Sequence, residues 1–406
     1  MRFYQMKSRD EKVVEIYYQL SNLLKVELGI TPNKMSKEIY DRSLKKLNDL
    51  QNKDKQRFNT IFCGRLTEIK KMETEISQFK NDQEFNSMII SGEAGIGKSA
   101  LVNVVLDNVV NEFTLLEAQC YQVEKKYDLR PWKKILSQLT ELIKEENEVE
   151  FSTWQQVMTL FFPSLEDHLS QDKQMGHLMD NTLNVLTEVL CEALNSLGQH
   201  QKILLLIEDI QWMDRHSFEL LTNVMLNVSK NILFIFTSRV EHNEPLELFT
   251  SGMIQCDSLL DLRLKPFDFE ETKEFIEKKI PTQEITSDTI QNVFHHTEGN
   301  LFFLMEYISL LQSNSNLNTM TVKMKDALKN RFLYLSEEEQ GVANLVSYFY
   351  DFAFFEDLVL ILGMDEIQLV TCIESLVGKN ILKEIRVEGE VGVTFTHVKL
   401  REFVYM

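Results

Sequence analysis

Gly92-Glu93-Ala94-Gly95-Ile96-Gly97-Lys98-Ser99 satisfies the pattern G-x-x-x-x-G-K-S/T at every fixed position. An apolar run, Ser87–Ser91, precedes it, and a stretch of helical periodicity, 97–110, follows it. Strand, glycine-rich turn and helix in that order are what a phosphate cradle requires. The glycines let the backbone turn sharply and aim its N–H groups at an anion, and the helix start adds the positive end of its dipole. Lys98 would neutralise phosphate charge, and the Ser99 hydroxyl would ligate Mg²⁺. Gly92, Gly95, Gly97, Lys98, Ser99 and Ala100 are therefore the candidate nucleotide-binding residues, with ATP or ADP and Mg²⁺ as the cofactors.

Such a loop needs an acidic partner at the end of a neighbouring strand. Ile203–Ile207 is uniformly apolar, as expected of a parallel strand buried on both faces, and Glu208-Asp209 follows it directly. One carboxylate would hold Mg²⁺ and the other polarise the attacking water; Glu coming first leaves the division of roles open, with Glu208 favoured for the metal together with Ser99 and Asp209 for the water. Thr237-Ser238-Arg239 ends the next apolar strand. Arg239 at that point would sense or stabilise γ-phosphate charge.

Outward from these landmarks, strands near 87–91, 115–121, 203–207, 232–237 and 262–264 alternate with helical stretches at 65–80, 132–146, 178–197 and 217–228. This alternation predicts an α/β fold with a parallel sheet. After Pro266 the pattern is helical to about residue 377. Ile381–Ile385 and Val391–Phe395, split by a Glu-Gly-Glu turn, read as a hairpin, and a helix from Val398 closes the chain. Helices followed by a hairpin predict a winged helix. At the other end, apolar residues at helical spacing predict helices over 10–28 and 36–50, separated by Gly29 and Thr31-Pro32, a pair of the kind used in helical repeats. The expected fold class is an α/β P-loop NTPase core with a parallel sheet, a helical segment after it, a C-terminal winged helix and an N-terminal helical-repeat fragment. The expected segments are 1–50 helical, 51–57 linker, 58–268 core, 269–320 helical and 321–406 winged helix.

The 406 residues are 44% hydrophobic and 26% charged, with a net charge of −19. So acidic a chain is a poor non-specific binder of nucleic acid or anionic membrane. Residues 1–80 are the exception, with 17 Lys/Arg against 11 Asp/Glu. No apolar run reaches the roughly 18 residues of a membrane span. Five scattered cysteines, none in a C-x-x-C pair, read as small buried hydrophobes of a reduced cytoplasm, the expected location. They offer no zinc-ligand spacing. His295-His296 reads as structural or surface.

Together these motifs resemble the STAND-type AAA ATPase module of bacterial transcriptional regulators, an Orc1-like AAA ATPase domain, over about residues 58–406. The resemblance implies that the sheet is AAA-like and that 269–320 is a helical lid. Phe62-Cys63-Gly64-Arg65 with Glu68 resembles the family's F-x-G-R-x-x-E entry motif, which implies that Gly64 and Arg65 lie beside the nucleotide base. Glu208-Asp209-Ile210-Gln211-Trp212-Met213-Asp214 resembles its extended acidic motif. Thr297-Glu298-Gly299-Asn300-Leu301-Phe302-Phe303 resembles the lid motif G-N-P-F-F, with Leu301 in the proline position. Phe395-Thr396-His397, with Arg401 and Tyr405, resembles the winged-helix ending in which a histidine faces the bound diphosphate. That makes His397 a further candidate nucleotide ligand.

Residues 10–50 resemble the end of a bacterial transcriptional activator domain, through Tyr18-Gln19-Leu20 and Glu27-Leu28-Gly29-Ile30-Thr31-Pro32. The resemblance implies the middle of a larger regulator whose DNA-binding domain precedes Met1. The leading expectation is an ATP/ADP-dependent regulatory switch with slow Mg²⁺-dependent hydrolysis. The alternatives are an AAA+ motor or remodelling ATPase, which would need an arginine supplied across a subunit interface, and a non-catalytic helical interaction module. Partners are expected to be nucleotide and proteins, or a second copy, through the helical segments. Specific DNA binding by this chain alone is not expected, because Asp365–Lys379, the would-be recognition region, is acidic.

Overall fold

The structure is a computed structural model that describes residues 63–109, 112–125, 128–145, 179–240, 243–281, 285–312, 320–333, 335–349, 352–379, 381–387 and 390–405, with Trp154 and single positions before residue 63. The chain divides into two compact units. One holds Met1–Ile90, Ser99–Ser238 and Pro245–Leu262; the other holds Ser91–Lys98, Arg239–Glu244 and Arg263–Met406. The glycine-rich loop, 92–98, falls within the second of these.

The first unit is built on a five-stranded sheet. Its strands are β1 (Ser87–Ser91), β2 (Thr114–Gln119), β3 (Ile203–Glu208), β4 (Ile232–Ser238) and β5 (Leu259–Arg263), in the order β2-β3-β4-β1-β5. β2, β3 and β4 pair in parallel, with Ile207 opposite Phe236 near the carboxyl ends of β3 and β4. Every residue of β3 and of β4 is buried, which is why both read as unbroken apolar runs. The helices are α1 (Leu66–Lys80), α2 (Lys98–Asp107), α3 (Arg130–Glu145), α4 (Met179–His200), α5 (Arg215–Asn227) and α6 (Glu244–Gln255). α3 turns Trp132, Ile135, Leu136 and Leu139 into the core, and α4 adds Leu186, Leu190 and Leu194. Both sets follow the spacing of one helical face. Trp154 is buried and donates its indole N–H to Thr140 at 2.9 Å.

The strand expected at 115–121 begins and ends earlier, at Thr114 and Gln119. The one expected at 262–264 is Leu259–Arg263. α6 was not anticipated; its first turn carries Pro245 and its body Gly252, residue types that are poor helix formers in general. The expected linker 51–57 lies outside the described residues, as do most positions of helices 10–28 and 36–50. The described positions within those helices are helical, and the rings of Tyr17 and Tyr40 stack at 4.4 Å.

In the second unit the helices are α7 (Phe269–Lys279), α8 (Ser287–Thr297), α9 (Leu301–Gln312), α10 (Val322–Leu333), α11 (Glu337–Ser347), α12 (Phe355–Leu362), α13 (Glu366–Gly378) and α14 (Val398–Tyr405). Their starts are written in the sequence. Asp268 with Glu271, and Ser336 with Glu339, form reciprocal capping boxes, and Thr286 caps α8. The hairpin of β7 (Leu382–Val387) and β8 (Glu390–Phe395) falls where expected. A two-residue strand, β6 (Ala353–Phe354), completes an antiparallel sheet in the order β6-β8-β7.

Glu339 ties α11 to α13. Its carboxylate accepts from Lys379 Nζ at 2.6 and 2.7 Å and from Ser375 Oγ at 2.5 Å. Burial pushes its carboxyl up, but these donors and the Ser336 N–H outweigh it and hold the group below its ordinary value. A depressed carboxyl contributes stability above the ordinary carboxylate range and loses it as pH falls through the folded value. Lys379→Met should cost about 1–2 kcal/mol at neutral pH, less than a fully buried pair because the ammonium is half exposed. Urea melts of both proteins should converge as the pH is lowered; a constant difference from neutral to acid pH would disprove the ion-pair account.

Candidate functional site

The glycine-rich loop leaves β1 and runs into α2, as the sequence predicts. Lys98 is buried and folded back on its own loop, donating to the carbonyls of Gly92 at 2.9 Å and Glu93 at 2.8 Å. Gly95 has φ +77°, and a Cβ there would come within 2.6 Å of Phe302 Cβ. Glycine is thus required twice at this position, by conformation and by approach. Ser99 and Ala100 sit in the first turn of α2, half-buried.

The start of α9 is seated on this loop. Asn300 donates its side-chain amide to the Ala94 carbonyl at 3.1 Å, and the Phe302 N–H donates to the Gly95 carbonyl at 3.0 Å. The same Phe302 N–H lies 3.1 Å from Asn300 Oδ1, so Asn300 also caps α9. Leu301, in the proline position of the lid motif, begins the helix. Gly299, at φ +73°, allows the turn before it.

His397 reaches the same place from the end of β8. Its Nδ1 lies 2.9 Å from Glu298 Oε2 and its Nε2 lies 3.0 Å from Glu93 Oε2. The ring stands edge-on to Phe303 at 6.0 Å. Burial lowers the affinity of this ring for a proton, but hydrogen bonds and charge from Glu298 and Glu93 outweigh it, and the balance is raised above the ordinary value.

The acidic strand end belongs to the sheet unit. Glu208 is the last residue of β3 and is buried. Asp209 follows in a left-handed conformation, φ 57°, a region where Asp is tolerated better than most residues. Its N–H donates to Thr237 Oγ1 at 2.9 Å, and its carboxylate accepts from Gln211 at 3.0 Å and, more weakly, from Gln119 at 3.4 Å. The Tyr121 hydroxyl is pushed far up by burial, then by Glu124, Glu208 and Asp209. Asp214, the last residue of the extended acidic motif, is a helix cap. It accepts from the Ser217 N–H at 2.9 Å and the Leu129 N–H at 3.1 Å. Asp214, Asp128 and His216 form the one three-residue carboxylate–histidine group among the described residues, but those bonds and the His216–Asp128 contact at 3.0 Å already occupy it. Arg239 directly follows β4. Gly64 and Arg65 both have positive φ at the start of α1, where Arg65 is buried 3.8 Å from Glu68.

Residues 61–235 match the AAA ATPase domain family. That stretch of the chain is similar to an AAA ATPase domain. Among solved structures the chain resembles a STAND protein with a tetratricopeptide repeat sensor from Pyrococcus horikoshii, at 16% identity and TM-score 0.38, over 85% of this chain and 42% of that one. It also resembles the Aeropyrum pernix ORC1 protein, solved in complex with DNA, at 10% identity and TM-score 0.45, over 86% and 93%. A third is the Thermotoga maritima RuvB Holliday junction branch migration motor, at 14% identity and TM-score 0.37, over 82% and 93%. The chain thus spans about 42% of the length of the STAND protein. No curated protein matches it.

The loop and acidic residues have the chemistry to fit a nucleotide and its metal. The loop carries positive-φ glycines and a buried lysine beside a helix start, the arrangement of an anion cradle. Ser99 and Glu208 offer only hard oxygen donors, the kind Mg²⁺ takes. The sequence singled out the loop, Glu208, Asp209 and His397. It missed Gln119, Gln211 and Thr237 around Asp209, and the carboxylates of Glu93 and Glu298 against His397. Gln211, Thr237, Glu93 and Glu298 lay inside quoted motifs, so their presence was visible but their partners were not.

Proposed function

We propose that this chain is an ATP/ADP-binding regulatory switch of a bacterial transcriptional regulator, with slow Mg²⁺-dependent hydrolysis. The observation that carries the reading is the seat of α9 on the phosphate loop. Asn300 and Phe302 hold Ala94 and Gly95, so the loop that would meet the nucleotide is joined directly to the lid that would move. In this reading Lys98 and the loop N–H groups bind the phosphates, and Gly64 and Arg65 lie beside the base. Ser99 and Glu208 hold Mg²⁺, which when bound would supply charge stabilisation at the γ-phosphate. Asp209 orients water, and Arg239 answers to the γ-phosphate.

Residues 321–406 act as a winged helix turned to protein contact and not to DNA. α13 presents Glu366 with exposed Ile367 and Val370, and α12 exposes Leu360 and Ile361. Phosphate contacts need cations, and an acidic, apolar face has none to give. Residues 1–50 act as the end of an activator module in a cytoplasmic regulator. No helix among the described residues is long and apolar enough to cross a membrane.

The test is hydrogen exchange at residues 92–99 and 298–303 with ADP and with a non-hydrolysable ATP analogue. The switch reading expects different protection with the two nucleotides; identical protection would remove it. Asp209→Asn should lower turnover about 10²-fold or more while changing nucleotide affinity by less than about threefold, because the residue acts on water and not on the bound phosphates. Equal losses in binding and turnover would move Asp209 from water activation to metal binding.

A further inference from the structure

Three elements meet at one imidazole. Glu93 comes from the phosphate loop, Glu298 ends α8 just before the lid motif, and His397 opens the turn into α14. Both ring nitrogens lie within hydrogen-bond distance of a carboxylate oxygen, at 2.9 Å and 3.0 Å. A neutral imidazole has one N–H, so it can donate to only one of these carboxylates. At the other it would set a nitrogen lone pair against an oxygen lone pair. Both contacts are attractive only when the group holds one more proton, on the ring or on a carboxyl.

We propose that Glu93, His397 and Glu298 form a proton-binding clasp: with the shared proton the three are fastened together, holding the lid start on the phosphate loop, and when that proton leaves the clasp parts. The inference stands apart from the nucleotide reading, because it invokes no nucleotide and its test contains none.

The charged and titratable neighbours on the elements packed against the ring have contacts of their own. Among the described residues, the charges acting on the His397 ring are those of Glu93 and Glu298. Lys98, on the same loop as Glu93, turns its ammonium to the Gly92 and Glu93 carbonyls. On α8, His296 stacks on Tyr307 of α9, with His295 edge-on to it. On α9, Glu306 accepts from Thr321 and lies 3.7 Å from Lys323 of α10. On α14 itself, Lys399 pairs with Glu402 at 2.7 Å, and Arg401 lies one turn beyond His397. On α11, Glu339 is taken by Lys379.

The sign follows from the raised proton affinity of the closed clasp. A group that binds its proton more tightly when closed gives full closure below the ordinary imidazole value, and closure is lost as pH rises through the clasp's own value.

The full chain without nucleotide provides the test. A nuclear magnetic resonance titration of the His397 ring should give a midpoint above 6.5, the ordinary value. Glu93→Gln and Glu298→Gln, which keep shape and remove one charge each, should each bring it down. Hydrogen exchange at 298–303, corrected for intrinsic rate, should quicken by up to about tenfold per pH unit above neutrality in the parent and stay flat in both variants. A parent midpoint at or below 6.5, an unchanged midpoint in both variants, or a flat parent profile overturns the clasp. If a variant does not fold, the parent's titration and exchange profile decide alone.

Discussion

Lys98→Ala should abolish most of the stabilisation that nucleotide gives this protein. For a dissociation constant of about 1 μM, millimolar ATP or ADP with Mg²⁺ raises the unfolding free energy by roughly 4 kcal/mol. Lys98 is the one cation inside the loop, and it is already buried, with its ammonium on the carbonyls of Gly92 and Glu93. Its desolvation is therefore largely complete before any anion arrives, which strengthens its attraction for phosphate. Thermal melts of parent and variant, with and without Mg²⁺–nucleotide, provide the measurement. The nucleotide-free melts set the baseline, since the variant also removes the Lys98 hydrogen bonds to the Gly92 and Glu93 carbonyls. A variant that keeps the full nucleotide shift would mean that Lys98 holds the loop together and does nothing to the ligand.

Gly299→Ala should be the most damaging single methyl in the C-terminal unit. A Cβ at Gly299 would lie 1.9 Å from the Phe267 carbonyl oxygen, where backbone meets backbone and neither can swing aside. The residue also has φ +73°, and its carbonyl accepts from the Phe267 N–H at 3.0 Å. The expected loss is about 3 kcal/mol or more, from conformational strain and the broken contact together. Two further alanines separate the causes. Gly363 has φ +61° but open space around a Cβ, so Gly363→Ala should cost only the conformational part, about 1 kcal/mol. Gly252, inside α6 with nothing within 4 Å, should tolerate alanine or gain about 0.5–1 kcal/mol. Denaturant melts that rank Gly299→Ala level with Gly363→Ala would refute the backbone contact.

These contrasts show what one chain of letters can disclose. The phosphate loop is legible because its requirement is local: eight consecutive residues set the turn, the lysine and the helix start. β3 and β4 are legible because burial on both faces erases alternation. The seat of α9 is not legible, since Asn300 and Ala94 are 206 positions apart and nothing in either says that one will grip the other. Gln119 ends an apolar strand and looks like an ordinary exit to solvent until β3 is laid beside β2. α6 went unread; its first turn carries Pro245, a position to which proline is well suited. β6 is two residues long, too short for any period to register. The histidine was picked out by its place after β8, but its carboxylate partners come from segments about 100 and 300 residues away.

The lid takes hold of the loop by its oxygens. Each peptide is a rigid plane in which the carbonyl and the N–H of the next residue point opposite ways. By fixing the carbonyl of Ala94, Asn300 also orients the N–H of Gly95, turning it to the opposite face, while the Ile96 N–H stays within the loop on the Glu93 carbonyl at 3.4 Å. A donor an anion would use is thereby aligned in advance from behind. Thermodynamic reciprocity then applies: whatever factor lid seating adds to anion affinity, a bound anion must add to lid seating. The two faces of one short stretch of backbone would couple a ligand to a domain, with the Asn300 amide and the Phe302 N–H gripping one face and the ligand the other.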